Sequence, residues 1–131
     1  MQISVRENLE GFLLACNKLE IPFEIKRFFV VKSKKENCER GNHAHVNEEH
    51  FLICLDGEVL IKSEDKNGKS TFILKRGDCF YQKEMVWLNL EFKTKQTTLL
   101  VFVFTSSNLN FIPQLILNFP KCFFYIRYTV L

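Results

Sequence analysis

Phe51-Leu52-Ile53-Cys54-Leu55-Asp56-Gly57-Glu58-Val59-Leu60-Ile61-Lys62 sets two short apolar runs on either side of an Asp-Gly pair. Asp-Gly tolerates the left-handed backbone of a tight turn, so the stretch reads as strand, hairpin signal, strand. The same grammar continues in both directions. Upstream lie an apolar run over residues 23–31, a polar loop over 32–39 and then His43-Ala44-His45. Downstream, Asn67-Gly68 is another hairpin signal, followed by Thr71-Phe72-Ile73-Leu74 and the Arg76-Gly77-Asp78 turn. Cys79-Phe80-Tyr81, Met85-Val86-Trp87-Leu88 and residues 98–104 complete the series. Many short strands at this spacing predict an all-β chain folded as an antiparallel sandwich or small barrel. The N-terminal stretch reads two ways. Leu9, Phe12, Leu13 and Cys16 match helical spacing, whereas Gly11 and the Phe12-Leu13-Leu14-Ala15 run favour a strand.

Bulk composition narrows the function classes. At 131 residues the chain is one domain with room for a real core, and a net charge of +3 is too weak for a nucleic-acid surface. Lys32, Lys34 and Lys35 cluster, but Glu36 and Glu39 break the run, which reads as a solvated loop. The five cysteines, Cys16, Cys38, Cys54, Cys79 and Cys122, show no paired spacing, so a disulfide framework or zinc knuckle is not expected. With no signal-peptide pattern at Met1-Gln2-Ile3-Ser4-Val5, the expected compartment is the reducing cytoplasm. Glu91 is the last acidic residue, and residues 108–131 form an atypical apolar ending. Pro113, Asn118, Pro120 and Lys121 interrupt it, which argues against a membrane span and for a packed arm or an oligomer strand.

The chemistry concentrates in Arg40-Gly41-Asn42-His43-Ala44-His45. Side chains two apart on a strand share a face, so His43 and His45 project together. Two imidazoles on one face bind a metal or move protons near neutral pH. Metal-binding cupins, which are small β-barrels, place Glu after His-x-His and three further residues, and Glu49 fills that place here. Their fourth ligand, a histidine, falls on Leu88, which cannot ligate. Proton transfer asks for less, since a histidine needs little tuning to act as base or acid at neutral pH. No metal or other cofactor is therefore expected.

Ile25-Lys26-Arg27, the Arg40–His45 motif, Ile53-Cys54-Leu55-Asp56-Gly57, Tyr81 and Met85-Val86-Trp87 together resemble the sugar-nucleotide 3,4-ketoisomerases of the cupin superfamily. The resemblance implies a jelly-roll cupin domain over residues 1–107, followed by the tail at 108–131. It also implies a metal-independent isomerase that moves the ketone of dTDP-4-keto-6-deoxyglucose, or a similar nucleotide sugar, from C4 to C3 in deoxyaminosugar biosynthesis. Such enzymes are homodimers that can exchange an N-terminal strand. His43 and His45 would be base and proton relay, in an order the sequence leaves open. Arg40 would hold substrate or enediolate charge, Arg27 the diphosphate, and Tyr81 and Trp87 the sugar or base pocket. Phe28-Phe29, Lys83-Glu84, Leu88 and the ending depart from the family pattern, which keeps a non-catalytic sugar-nucleotide binder as an alternative. A metal-dependent cupin using His43, His45 and Glu49 is a further one.

Overall fold

The computed structural model describes residues 1–17 and 20–105 in full, and the backbone of two further strands at 111–118 and 123–130. In chain order the strands are β1 (Ser4–Asn8), β2 (Gly11–Ala15), β3 (Arg27–Lys32), β4 (Cys38–His45), β5 (Glu48–Asp56) and β6 (Glu58–Asp65). They continue as β7 (Gly68–Lys75), β8 (Cys79–Gln82), β9 (Trp87–Phe92), β10 (Thr98–Thr105), β11 (Phe111–Asn118) and β12 (Phe123–Val130). All pairings are antiparallel, and no α-helix occurs among the described residues. The all-β expectation holds.

A four-stranded sheet, β3-β10-β5-β8, and a six-stranded sheet, β12-β11-β4-β9-β6-β7, enclose the main core. Leu52, Cys54, Leu99, Val101 and Val103 enter it from the first sheet, and Val59, Ile61, Leu74, Leu88 and Phe92 from the second. β5 is apolar without alternation because both of its faces are covered. Its other face, with Phe51 and Ile53, joins Ile3 and Cys79 in a second core, packed by Leu14, Cys16, Ile21, Phe23 and Tyr81.

Two local readings change. Asn67-Gly68 does close a hairpin, β6 to β7, but Asp56-Gly57 does not, because β5 and β6 lie in different sheets. There the chain crosses between sheets at Gly57, whose φ is 79° and whose missing Cβ leaves room for the Thr94 and Thr97 side chains. The ambiguous N-terminal stretch is a hairpin, since the Asn8 side chain accepts bonds from the N–H groups of Glu10 (2.9 Å) and Gly11 (3.0 Å) and turns the chain. β11 pairs with β12 and meets β4 at Ile116↔His45 and Leu117↔Ala44. The domain boundary expected at residues 107 and 108, and Pro120 and Lys121 of the tail, lie outside the described residues.

Candidate active site

The histidine strand is not a regular ladder. Against β9, Arg40 pairs with Leu90 and Gly41 with Asn89, yet His43 pairs with Leu88, leaving Asn42 as an extra residue. This bulge uses left-handed backbone at Gly41 (φ 91°) and Asn42 (φ 59°). A Cβ on Gly41 would stand 2.8 Å from the Leu88 carbonyl oxygen, so no other residue fits without moving backbone. Buried Asn89 fastens the bulge, its Nδ2 donating to Asn42 Oδ1 at 2.9 Å. Simple alternation would put Arg40 and His43 on opposite faces. The inserted residue brings Arg40 and His43 to the same face, one opposite Leu90 and the other opposite Leu88.

From that face the imidazoles reach the crossing between β4 and β5. His43 Nε2 and His45 Nε2 are 3.0 Å apart, with ring centroids at 4.7 Å. Beyond His45 lies Glu48, its Oε2 at 3.5 Å from His45 Nδ1 and 2.9 Å from His50 Nε2. Arg27 Nη2 approaches the other carboxylate oxygen at 3.8 Å. His45, Glu48 and His50 are only 7%, 6% and 8% exposed, whereas His43 is half-buried and open to a ligand. The four-stranded sheet lines up Arg27, Val103, His50 and Gln82 in one rung, which is why Arg27 and His50 share this end of the core. Phe29 lies edge-on to His50 at 6.0 Å and offers no hydroxyl.

The hydrogen bonds fix where protons can sit. His43 Nδ1 is 2.8 Å from the Gly41 carbonyl oxygen, which only accepts, so Nδ1 carries the proton. In neutral His43 the Nε2 is then an acceptor, and His45 Nε2 must donate to it. A second proton on His43 reverses this chain: His43 Nε2 donates, His45 Nε2 accepts, and His45 Nδ1 carries its proton toward Glu48. Burial, reinforced by the positive charge of His50, His43 and Arg27, pushes the His45 pKa down to about 2. His45 therefore stays neutral and can pass a proton without retaining one.

The remaining sequence candidates separate. Glu48 and His50 point into the main core with Leu52 and Cys54, so alternation turns Glu49 to the opposite face of β5. There Tyr81 donates to Glu49 Oε2 at 2.5 Å and packs against Phe23. Desolvation first, and then Glu49, raise the Tyr81 pKa to about 12. The ligand set His43, His45 and Glu49 is thus not assembled, because a sheet stands between Glu49 and the histidines. Trp87 pairs with Glu64 and faces away from core-facing Leu88, so it too is not gathered with His43 and His45. Lys83 and Glu84 open a turn in which Met85 takes φ 65° and donates its N–H to the His45 carbonyl at 2.7 Å, tying that turn to the histidine strand. Sequence reasoning missed Glu48 and His50 as partners of the pair. Counting back in twos from Leu52 would have found both.

The model of the family described as FdtA: WxcM-like, C-terminal, matches residues 1–110 of this chain. The chain belongs to the sugar 3,4-ketoisomerase family. Solved 3,4-ketoisomerases share its fold. A 3,4-ketoisomerase from Helicobacter canadensis is 31% identical with a TM-score of 0.68, covering 83% of this chain and 82% of that one. The histidine-to-asparagine variant of the 3,4-ketoisomerase QdtA from Thermoanaerobacterium thermosaccharolyticum, in complex with TDP-4-keto-6-deoxyglucose, is 25% identical with a TM-score of 0.69. That match covers 82% of this chain and 78% of QdtA. The TDP-4-oxo-6-deoxy-alpha-D-glucose-3,4-oxoisomerase of Aneurinibacillus thermoaerophilus is 38% identical over 58 residues, 44% of this chain and 42% of that protein. The aligned stretch thus spans less than half the length of this curated relative.

Proposed function

We propose that this protein converts a dTDP-linked 4-keto-6-deoxyhexose to its 3-keto isomer, with His43 as the base and His45 as the relay. The observation that carries this reading is the 3.0 Å contact between the two Nε2 atoms, with Glu48 behind it. The C4 ketone acidifies the proton on C3. His43, the accessible imidazole, takes that proton and the C–H electrons form an enediolate. A proton delivered to the C4 oxygen gives the enediol. Loss of the C3 hydroxyl proton and return of a proton to C4 then leave the ketone at C3 and a hydroxyl at C4, with no redox partner. His43 as a cation is supported through His45 by the Glu48 carboxylate, an electrostatic contribution made when charge develops. Arg40 on the same face would stabilise enediolate oxygen, and Arg27 at the rim would hold diphosphate through its planar guanidinium. Tyr81 and Trp87, turned to other faces, would touch substrate only from a second subunit or through the nucleotide.

A homodimer fits the exposed apolar side chains of Phe28 (66%) and Val30 (54%) on β3 and Leu13 (57%) on β2. The described cysteines, Cys16, Cys38, Cys54 and Cys79, are free thiols, which favours a reducing compartment. No helix among the described residues is long and apolar enough to cross a membrane.

The test is incubation of the purified protein with dTDP-4-keto-6-deoxyglucose in deuterated water, followed by NMR. Deuterium at C3 or C4 together with a 3-keto product is expected. Tight nucleotide binding with neither would overturn the isomerase reading in favour of the sugar-nucleotide binder, for which apolar Leu88 opposite His43 speaks.

A further inference from the structure

His45 Nδ1 is buried without a hydrogen-bond partner, and its nearest polar neighbour is an acceptor, Glu48 Oε2 at 3.5 Å. With His43 neutral, His45 donates through Nε2, so two lone pairs face each other across that gap. A cation between them would remove the conflict. The third side of the gap is His50 Nε2, 2.9 Å from the same carboxylate oxygen, and one ligand atom from each of His45, Glu48 and His50 lies within 4.8 Å of the others. Ligands at zinc bond lengths in a tetrahedral site stand about 3.3 Å apart. The two measured edges, 3.5 and 2.9 Å, straddle that value.

We infer that His45 Nδ1, Glu48 Oε2 and His50 Nε2 form a binding site for a borderline divalent ion such as Zn²⁺, and that its occupation inhibits the protein. Two imidazoles and one carboxylate are ligands that suit zinc or cobalt better than calcium or magnesium. His50 enters the site by moving its proton from Nε2 to Nδ1. Arg27 keeps the other oxygen of Glu48, so the carboxylate bridges the guanidinium and the metal. The ligand set is distinct from the His43, His45 and Glu49 spacing, and its effect is opposite to that of a catalytic metal. Once the ion holds His45 Nδ1, that nitrogen can no longer take a proton, and His45 is locked as a donor to His43. The reversed chain that stabilises protonated His43 is then closed. Binding stands independently; inhibition rests on the isomerase reading.

The experiment is a titration of the full chain, stripped with chelator, with ZnCl₂ by calorimetry and with CoCl₂ by visible absorption. One ion per chain and a four-coordinate cobalt spectrum without sulfur-to-cobalt charge transfer are expected. His50→Gln should weaken binding roughly ten- to a hundredfold. Saturating Zn²⁺ should lower turnover at least tenfold, and chelator should restore it. No binding, a thiolate charge-transfer band, or unchanged affinity in a folded His50→Gln variant would overturn the site. If that variant fails to fold, the cobalt spectrum of the unmodified chain decides the matter. Binding with full turnover would overturn the inhibition, while a protein inactive even without metal would fail the isomerase reading and leave the two titrations to judge the site.

Discussion

Glu48 and Glu49 are neighbours in sequence and belong to different worlds in the fold. Glu48 faces the main core, where it gathers His45, His50 and Arg27. Glu49 faces the other way and holds the Tyr81 hydroxyl. Both carboxylates make a close hydrogen bond, so pairing alone does not distinguish a working acid from a structural one. What distinguishes them is the face of β5 on which they stand, and whether a proton-carrying chain leads from them to an accessible base.

The comparison breaks most sharply at the accessible end of that chain. His43→Gln should lower kcat by about 10²–10⁴-fold with dTDP affinity nearly unchanged, measured by steady-state turnover and calorimetry. Equal turnover would show that the inner face is structural as well. Glu48→Gln, which keeps shape but removes charge, should cost about ten- to a hundredfold in kcat. The matching Glu49→Gln on the outer face should leave kcat within a factor of about two. Equal losses from the two would erase the distinction between the faces.

Gly41→Ala tests whether the bulge supports the inner face. It forces a side chain onto a backbone at φ 91° and against the Leu88 carbonyl. A loss of about 1–3 kcal/mol in urea unfolding is expected. The smallest effect is spectroscopic and belongs to the outer face. Removing the Glu49 charge should lower the Tyr81 pKa from about 12, while desolvation, the larger cause, keeps it above the ordinary value of about 10. Ultraviolet titration of Glu49→Gln reads this shift; an unchanged midpoint would mean that burial alone sets it.

Much of this frame is legible in the order of residues. The short apolar runs and the Asn67-Gly68 signal mark strands and a hairpin correctly, because period and turn chemistry are local. The shared face of His43 and His45 is equally local. Asp56-Gly57 shows the limit: a tight turn looks the same whether its strands pair or enter different sheets, and Thr94 and Thr97, which shape it, lie about forty residues on. Arg40 shows another, since strict alternation places it opposite His43 and only pairing with β9 reveals the bulge. Family spacing counts to Glu49 and skips Glu48. Alternation counted back from core-facing Leu52 selects His50 and Glu48.

The bulge at Gly41 and Asn42 also constrains how this strand can change over generations. Deleting Asn42 would restore an even ladder with Arg40 two places from His43, so Arg40, His43 and His45 would all keep their face. Inserting a further residue between Arg40 and His43, beside the existing bulge, would instead turn Arg40 outward while His43 and His45 stayed in place. Drift in residues 40–43 can therefore lose the bulged residue without turning Arg40, but cannot gain another without doing so.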